Sequence, residues 1–225
     1  MEAEIKELGG VPTIFVDGVP KAPMTYTGKH PFLGSYYQPR LKIEQYRRLG
    51  KAGIEIFFLP VDLGDPAVID LALKDLDSRM KSLLSVVSNA KVILRTFLSP
   101  YVGFANENLG EVLTFNDGST THYLRPGYAG LLDGNIPRYT FASEAWESVA
   151  SDALRRLVRH INNAAYRDHI IGYFIKAGSC GEWLYWGDWD HSKYTIDYSP
   201  AMIRAFRRWL INEYEGDVNK LREAW

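Results

Sequence analysis

Hydrophobic positions along the 225-residue chain form two patterns that alternate: short continuous runs, typical of strands, and a spacing of three to four residues, typical of helices. Each change of pattern marks a boundary between a strand and a helix. Short apolar runs typical of buried strands cover 54–62, 91–99 and 169–177. A shorter run that ends near Gly28 begins the series. The pattern therefore predicts a strand before each of four helical segments.

The segments between these strands carry apolar residues at the three- and four-residue spacing of an amphipathic helix. The predicted helices cover 41–53, 77–88, 144–161 and 201–214. Ser143 and the pair Ser199-Pro200 are predicted to cap the last two helices at their N-termini. The last helix carries an apolar stripe that we interpret as core: Met202, Ile203, Phe206, Trp209 and Leu210.

Two segments depart from this alternation. Residues 1–23 contain "TIFVDGVPKAP", in which Asp17-Gly18 predicts a two-residue β-hairpin that precedes the first unit. Between 101 and 139 the periodicity lapses, and a second hairpin is predicted around Asn116 to Gly118. A lapse of this length predicts an inserted loop on the functional rim of the fold.

The order of elements, a hairpin followed by four β-α units, predicts an α/β fold with parallel strands and right-handed crossovers. A doubly wound sheet and a β/α barrel both fit this order. The first strand lacks a glycine-rich phosphate loop after it, which favours the barrel. A closed (β/α)8 TIM barrel has eight such units and typically about 250 residues. We therefore expect residues 1–225 to form one domain, the N-terminal half of a TIM barrel.

Composition and charge narrow the range of partners. The 26 basic residues balance 27 acidic ones without clustering, so we expect neither nucleic acid nor a membrane as partner. A single cysteine excludes an internal disulfide framework. The charged start "MEAEIKELGG" lacks the apolar segment of a signal peptide, so a cytoplasmic location is favoured. Six tryptophans suit a carbohydrate site, a protein interface or an aromatic-rich core.

The candidate chemistry lies in "YFIKAGSCGEWLYWGDWD", residues 173–190. Glu182 follows the fourth strand after a glycine-bearing turn, and β/α barrels carry their reacting groups at the carboxyl ends of strands. Apolar neighbours raise the pKa of such a carboxyl, which suits a general acid. The aromatic residues that follow are candidate sugar-stacking residues: Trp183, Tyr185, Trp186 and Trp189. This combination predicts glycoside hydrolysis, although Trp183 and Trp186 fit barrel packing equally well.

Several segments resemble the N-terminal half of a clan A glycoside hydrolase, in particular the β-galactosidase-like barrels of glycoside hydrolase family 42. They are "TIFVDGVPKAPMTYTG", "YRRLGKAGIEIFFLPVDLG", "KVILRTFLSP", "AGSCGEWLYWG" and "FRRWLINEYEGDVNKLREAW". The resemblance implies a carbohydrate substrate, with Glu182 as the acid/base residue at the end of strand four. It also implies that Arg95, on strand three, binds sugar.

The chain departs from the clan in two respects. The clan places Asn directly before its acid/base Glu, whereas Gly181 stands here. The clan's nucleophile lies at the end of strand seven, beyond the four units predicted here. Asp62, at the end of strand two, is the candidate second carboxylate; sugar binding is its favoured role and catalysis the alternative.

Neighbouring residues suggest other kinds of chemistry. Cys180 fits neither a nucleophile elbow nor a papain-type signature, and the loop residues Asp188, Asp190 and His191 match no metal signature, so no cofactor or metal is expected. A non-catalytic carbohydrate-binding half barrel is the alternative function. The free edges of its outer strands would lead it to self-associate or to pair with a missing C-terminal half. A barrel with different chemistry, such as an isomerase, is a weaker third interpretation.

Overall fold

The computed structural model describes residues 2–22, 24–26, 43–101, 103–120, 138–178, 183 and 194–225. The strands in these ranges are β1 (Ala3–Leu8), β2 (Val11–Val16), β3 (Val19–Lys21), β4 (Thr25–Tyr26), β5 (Ile56–Asp62), β6 (Lys91–Phe97) and β7 (Ile170–Lys176). The helices are α1 (Ile43–Lys51), α2 (Ile69–Leu84), α3 (Phe104–Glu107), α4 (Glu144–Asn163), α5 (Pro200–Glu213) and α6 (Val218–Ala224). None of these helices combines the length and hydropathy that crossing a membrane requires.

The N-terminal strands form a three-stranded antiparallel sheet in the order β1-β2-β3. The predicted hairpin joins β2 and β3, and Asp17 and Gly18 have the positive φ angles (50° and 76°) that a tight two-residue turn requires. The sequence pattern did not predict β1. Its apolar side chains face solvent, with Ile5 74% and Leu8 52% exposed. Because the strand has no buried face, its sequence lacks the alternation of apolar and polar residues by which a strand is recognised.

The second sheet is parallel and has the order β4-β5-β6-β7. Its register pairs Asp62 with Phe97 and Phe97 with Lys176, so the carboxyl ends of three strands lie in one row. The strands predicted over 54–62, 91–99 and 169–177 are confirmed. The chain is therefore a mixed α/β protein, with a β-hairpin followed by a parallel sheet of the kind found in a partial α/β barrel.

The hydrophobic core lies between one face of this sheet and the helices α2 and α4. Alternate residues of β5, including Phe57 and Leu59, face the helices and are almost completely buried. Helix α2 begins at Ile69 and not at the predicted Asp77. No side-chain cap marks its start, which leaves only the spacing of its buried residues as a signal: Ile69, Leu73, Leu76, Met80 and Leu83.

Both predicted serine caps are confirmed. The Trp146 backbone N–H donates a 3.0 Å hydrogen bond to Ser143 Oγ, and the Met202 N–H donates a 3.1 Å bond to Ser199 Oγ. The interpretation of the α5 stripe as core was wrong. Ile203, Phe206 and Trp209 are 40%, 45% and 47% exposed, because α5 packs on the turn 109–111 and no described helix covers its apolar side.

The segment predicted as a rim insertion begins with α3 and a 3-10 turn, Leu109–Glu111. A single antiparallel bridge then joins Val112 to Tyr139. The predicted turn forms, since the Gly118 N–H donates to the Phe115 carbonyl and the Phe115 N–H donates to the Ser119 carbonyl, both at 2.9 Å. The outgoing arm of that predicted hairpin lies outside the described residues.

Candidate functional site

The parallel sheet has two chemically different faces. One face packs on α2 and α4. The opposite face, called here the open face, carries the alternate residues of the same strands near their carboxyl ends: Phe58, Asp62, Arg95, Phe97, Phe174 and Lys176. The rings of Phe58 and Phe174 meet edge to face at 6.1 Å across this surface, which shows that β5 and β7 contribute to the same side.

Asp62 lies at the carboxyl end of β5, as the sequence predicted. The Gly64 N–H donates a 3.0 Å hydrogen bond to its Oδ1. Burial, and to a smaller extent the charge of Asp65, raises the pKa of the Asp62 carboxyl to about 6 despite that hydrogen bond. The carboxyl can therefore hold or release a proton close to neutral pH, a property that both a binding and a catalytic role can use.

Gly64 brings the chain after β5 into direct contact with the chain after β6. A β-carbon at position 64 would lie 1.9 Å from the Ser99 carbonyl oxygen, so only glycine fits there. The Leu63 N–H also donates a 2.9 Å hydrogen bond to the Phe97 carbonyl, which extends the ladder beyond the strands. Asp62 is thus attached to a turn whose position is fixed by the neighbouring strand.

Arg95 lies on β6 and is only 9% exposed. Its Cζ lies 6.0 Å from the ring centroid of Phe97 and 5.9 Å from that of Phe174. Burial lowers the pKa of the guanidinium, which nevertheless remains charged at neutral pH because its ordinary pKa is so high. The structure thus places Arg95 on the same face as Asp62, on the adjacent strand.

Lys176 was not singled out in the sequence, and it ends β7 on the open face with an exposure of 4%. Its Nζ lies 4.9 Å from the Phe97 ring centroid and 5.9 Å from that of Phe174. One sequence signal could have identified Lys176. A cation and a phenylalanine lie two positions apart on each of two strands, as Arg95-x-Phe97 on β6 and as Phe174-x-Lys176 on β7. The spacing shows which residues share a face of one strand, but only the register between strands brings the two pairs together.

Trp183 lies beyond β7 with a φ angle of 60°. Its indole N–H donates a 3.0 Å hydrogen bond to the Ile175 carbonyl, and its ring centroid lies 6.1 Å from Phe141 and 6.2 Å from Trp146. These contacts support the packing interpretation of this residue. Because the side chain is also 49% exposed, a role in stacking on sugar stays a prediction.

Four predicted site residues lie outside the described residues: Glu182, Tyr185, Trp186 and Trp189. Also outside them lie Cys180, Asp188, Asp190 and His191, for which no catalytic or metal-binding role is predicted. Among the residues that the structure describes, no group of three or more His, Cys, Asp or Glu side chains is arranged to hold a metal ion.

No protein-family model and no curated protein matches the sequence. Two solved structures share its fold. The β-galactosidase from the psychrophilic Marinomonas ef1 is 18% identical, with a TM-score of 0.55 over 89% of this chain and 27% of that chain. The β-galactosidase from Bacillus circulans sp. alkalophilus is 15% identical, with a TM-score of 0.57 over 89% of this chain and 26% of that chain.

This chain thus spans about a quarter of the length of either enzyme. At such low identity the likeness shows a common fold, and the predicted β-galactosidase-like fold is confirmed to that extent. Membership of family 42, the closed eight-unit barrel and the roles of individual residues stay predictions.

Proposed function

We propose that this chain forms part of the catalytic domain of a retaining β-glycosidase of β-galactosidase-like specificity. The observation that supports the proposal is the row formed by Asp62, Phe97 and Lys176 at the carboxyl ends of parallel strands, within a fold shared with two β-galactosidases. Barrel enzymes carry their chemistry at this end of the sheet. Aromatic and charged side chains on one face provide both stacking surfaces and hydrogen-bonding groups for a sugar ring.

In the proposed mechanism Glu182 donates its proton to the glycosidic oxygen as the bond to the leaving group breaks. A carboxylate supplied by a part of the protein beyond these four units forms the glycosyl-enzyme bond. Glu182, now ionised, then removes a proton from the water molecule that hydrolyses this bond. Arg95, Asp62 and the aromatic residues around Trp183 hold the sugar, and no cofactor takes part.

The test of this role is the variant Glu182→Gln in the full-length protein, assayed with an aryl β-galactoside. Loss of a general acid/base typically lowers the rate by about 10²- to 10⁴-fold. Glu147→Gln, an exposed position on α4, removes the same charge and is expected to leave kcat unchanged. Equal activity of Glu182→Gln and wild type, with both proteins folded by circular dichroism, would contradict the assignment.

Azide separates a catalytic from a structural role for Glu182. Azide is a nucleophile that needs no general base, so it can attack a glycosyl-enzyme in place of water. We expect added azide to accelerate turnover by Glu182→Gln and to yield the β-glycosyl azide, the product of retention. Absence of acceleration in a folded, slow variant that still releases the aryl group would contradict the base step.

A second candidate function is a carbohydrate-binding half barrel without catalysis. Strand β7 favours it, because it is the outermost strand of the parallel sheet among the described residues, and its Tyr173, Phe174 and Ile175 are 39%, 49% and 41% exposed. Unpaired edges with apolar side chains favour association with another chain. Sugar binding without turnover in the full-length protein, together with a concentration-dependent mass in sedimentation, would support this function over hydrolysis.

A further inference from the structure

Helix α5 contacts the rest of the chain with one side and turns its apolar stripe away from it. Arg208 Nη1 lies 2.8 Å from Glu144 Oε1 at the start of α4. Because a helix turns by about 100° per residue, Phe206 and Leu210 each lie about 200° around α5 from Arg208. The apolar stripe therefore lies nearly opposite the side that contacts α4.

The stripe presents an aromatic surface to solvent. The rings of Phe206 and Trp209 are stacked, with their centroids 5.7 Å apart, and Trp209 also meets Tyr214 edge to face at 6.5 Å. Ile203, Phe206 and Trp209 are each nearly half exposed, so at about 200 Å² for a large side chain they present roughly 250 Å² of apolar surface. Exposed patches of a few hundred Å² on a protein surface are often interaction sites.

The charges of α5 are ordered in the way that is unfavourable for a single helix. Residues 200–208 include three basic and no acidic residues, whereas 209–217 include three acidic and no basic residues. The first turn of the helix thus has no acidic residue and its last turn no basic residue. The helix macrodipole favours the reverse order, with acidic residues near the N-terminus and basic residues near the C-terminus.

A second copy of the same helix, packed antiparallel, offsets this disadvantage. It places the acidic end of each helix beside the basic end of the other, and it brings together helix ends of opposite partial charge. The apolar stripes of the two copies then cover each other. A single partner thus satisfies both the charge order and the exposed stripe.

We propose that α5 is the interface of a two-fold symmetric dimer in which the stripes of two copies pack antiparallel. A two-fold axis near Leu210 brings Arg207 of one copy level with Glu213 of the other, and Phe206 level with Tyr214. Each contact occurs twice because the interface is symmetric. The patch is smaller than the roughly 800 Å² per partner of a stable complex, so the dimer is reversible, with a Kd on the order of 10 to 100 µM.

The first measurement is the mass of the full-length protein by sedimentation equilibrium between 1 and 300 µM (chosen concentrations). The mass is expected to rise from one chain to two. Trp209→Gln should weaken the dimer by about tenfold or more, because it removes a central aromatic contact. Ile211→Gln is the control on the same helix, since Ile211 is 60% exposed but lies about 200° around α5 from Trp209. It should leave the Kd unchanged.

The second measurement reverses the charges that the proposed register brings together. Arg207→Glu and Glu213→Arg, each studied alone, should weaken the dimer by about tenfold or more, because each creates two like-charge contacts. An equimolar mixture of the two variants should recover nearly the wild-type affinity, since the mixed dimer joins opposite charges at both symmetric contacts. Arg155→Glu, an exposed position on α4, makes the same charge reversal and should leave the Kd unchanged.

Three results would overturn the inference. A wild-type protein that stays monomeric up to 300 µM (the chosen limit) would show that α5 does not bind a second copy. Association of Trp209→Gln with the wild-type Kd would place the interface elsewhere on the molecule. A mixture of Arg207→Glu and Glu213→Arg that is no tighter than either variant alone would exclude antiparallel pairing in this register. None of these results depends on hydrolysis, so the dimer and the proposed glycosidase stand or fall separately.

Discussion

The two faces of the parallel sheet are built from the same three strands and differ in almost every physical respect. Towards α2 and α4, the apolar side chains of Phe57, Val61 and Leu94 are at most 1% exposed. On the open face the intervening positions carry a carboxyl, a guanidinium and an ammonium among phenylalanine rings. A strand alternates its side chains between two environments, so one backbone can serve stability on one face and ligand chemistry on the other.

The two faces of the sheet also make opposite contributions to the stability of the fold. Apolar burial against the helices stabilises the fold by roughly 25 cal/mol per Å² removed from water. Ionisable groups on the open face are partly desolvated, which opposes folding. Proteins commonly carry this kind of local cost at functional sites.

The largest expected effect lies on the helix-packed face. Leu76 on α2 is completely buried, so Leu76→Ala should lower the free energy of unfolding by about 2 to 5 kcal/mol through lost contacts and a residual cavity. Leu71 on the same helix is 64% exposed, and Leu71→Ala should change stability by only about 0.5 kcal/mol. Urea unfolding followed by circular dichroism measures both. Equal losses would mean that α2 does not pack as described.

A smaller and pH-dependent effect is expected at Asp62. Its pKa is about 6 in the folded protein against an ordinary 3.8, so the folded state holds the proton more tightly than the unfolded state. Wild-type stability should therefore fall as the pH rises from about 4 to 7. Two pKa units correspond to at most about 3 kcal/mol.

The variant Asp62→Asn cannot ionise and keeps an oxygen that accepts the Gly64 N–H. It should match wild type at pH 4 and be more stable by about 1 to 3 kcal/mol at pH 8, measured by urea unfolding at each pH. Asp152→Asn on the exposed side of α4 should alter stability equally at both pH values. A difference between Asp62→Asn and wild type that does not vary with pH would show that the Asp62 carboxyl is not desolvated.

The smallest effect on stability is expected at the edge of the sheet. Ile175→Lys places a charge on β7, the outermost strand of the parallel sheet in the part of the chain that the structure describes, and should change the free energy of unfolding by only about 0.5 kcal/mol. Self-association measured by sedimentation velocity should decrease if β7 pairs with a second chain. Val158→Lys on α4 is the control, since Val158 is similarly exposed at 40%. Unchanged association in both variants would remove β7 from any interface.

A structural element could be predicted from the sequence when its signal lay within its own residues, and not when the signal depended on residues elsewhere in the chain. Strands β5, β6 and β7 are apolar runs, and the helices after Ser143 and Ser199 start at side-chain caps, so both were predictable. Helix α2 has no such cap, and its start was misplaced. The α5 stripe has core spacing, yet spacing does not reveal whether a partner surface is present to cover it.

The same contrast between local and non-local signals applies to the residues of the candidate site. Asp62 was predictable because it is an ionisable residue at the end of a buried strand. Arg95 was predicted only from the resemblance to clan A glycoside hydrolases. Lys176 was not, because its importance comes from Phe97 and Arg95 on another strand, about eighty positions earlier in the chain. Residues that act through cross-strand neighbours are recognised only once the register is known.

The contact between position 64 and the Ser99 carbonyl also has a genetic consequence. Every missense change of a glycine codon adds at least a β-carbon, and the nearest atom it would meet, at 1.9 Å, belongs to the backbone and cannot rotate away. The codon two positions after that of Asp62 is therefore expected to tolerate no missense change. Any lineage that diversifies this site must then keep glycine at 64. The substitutable positions are those whose side chains enter the open face, and they leave the turn that carries Asp62 unaltered.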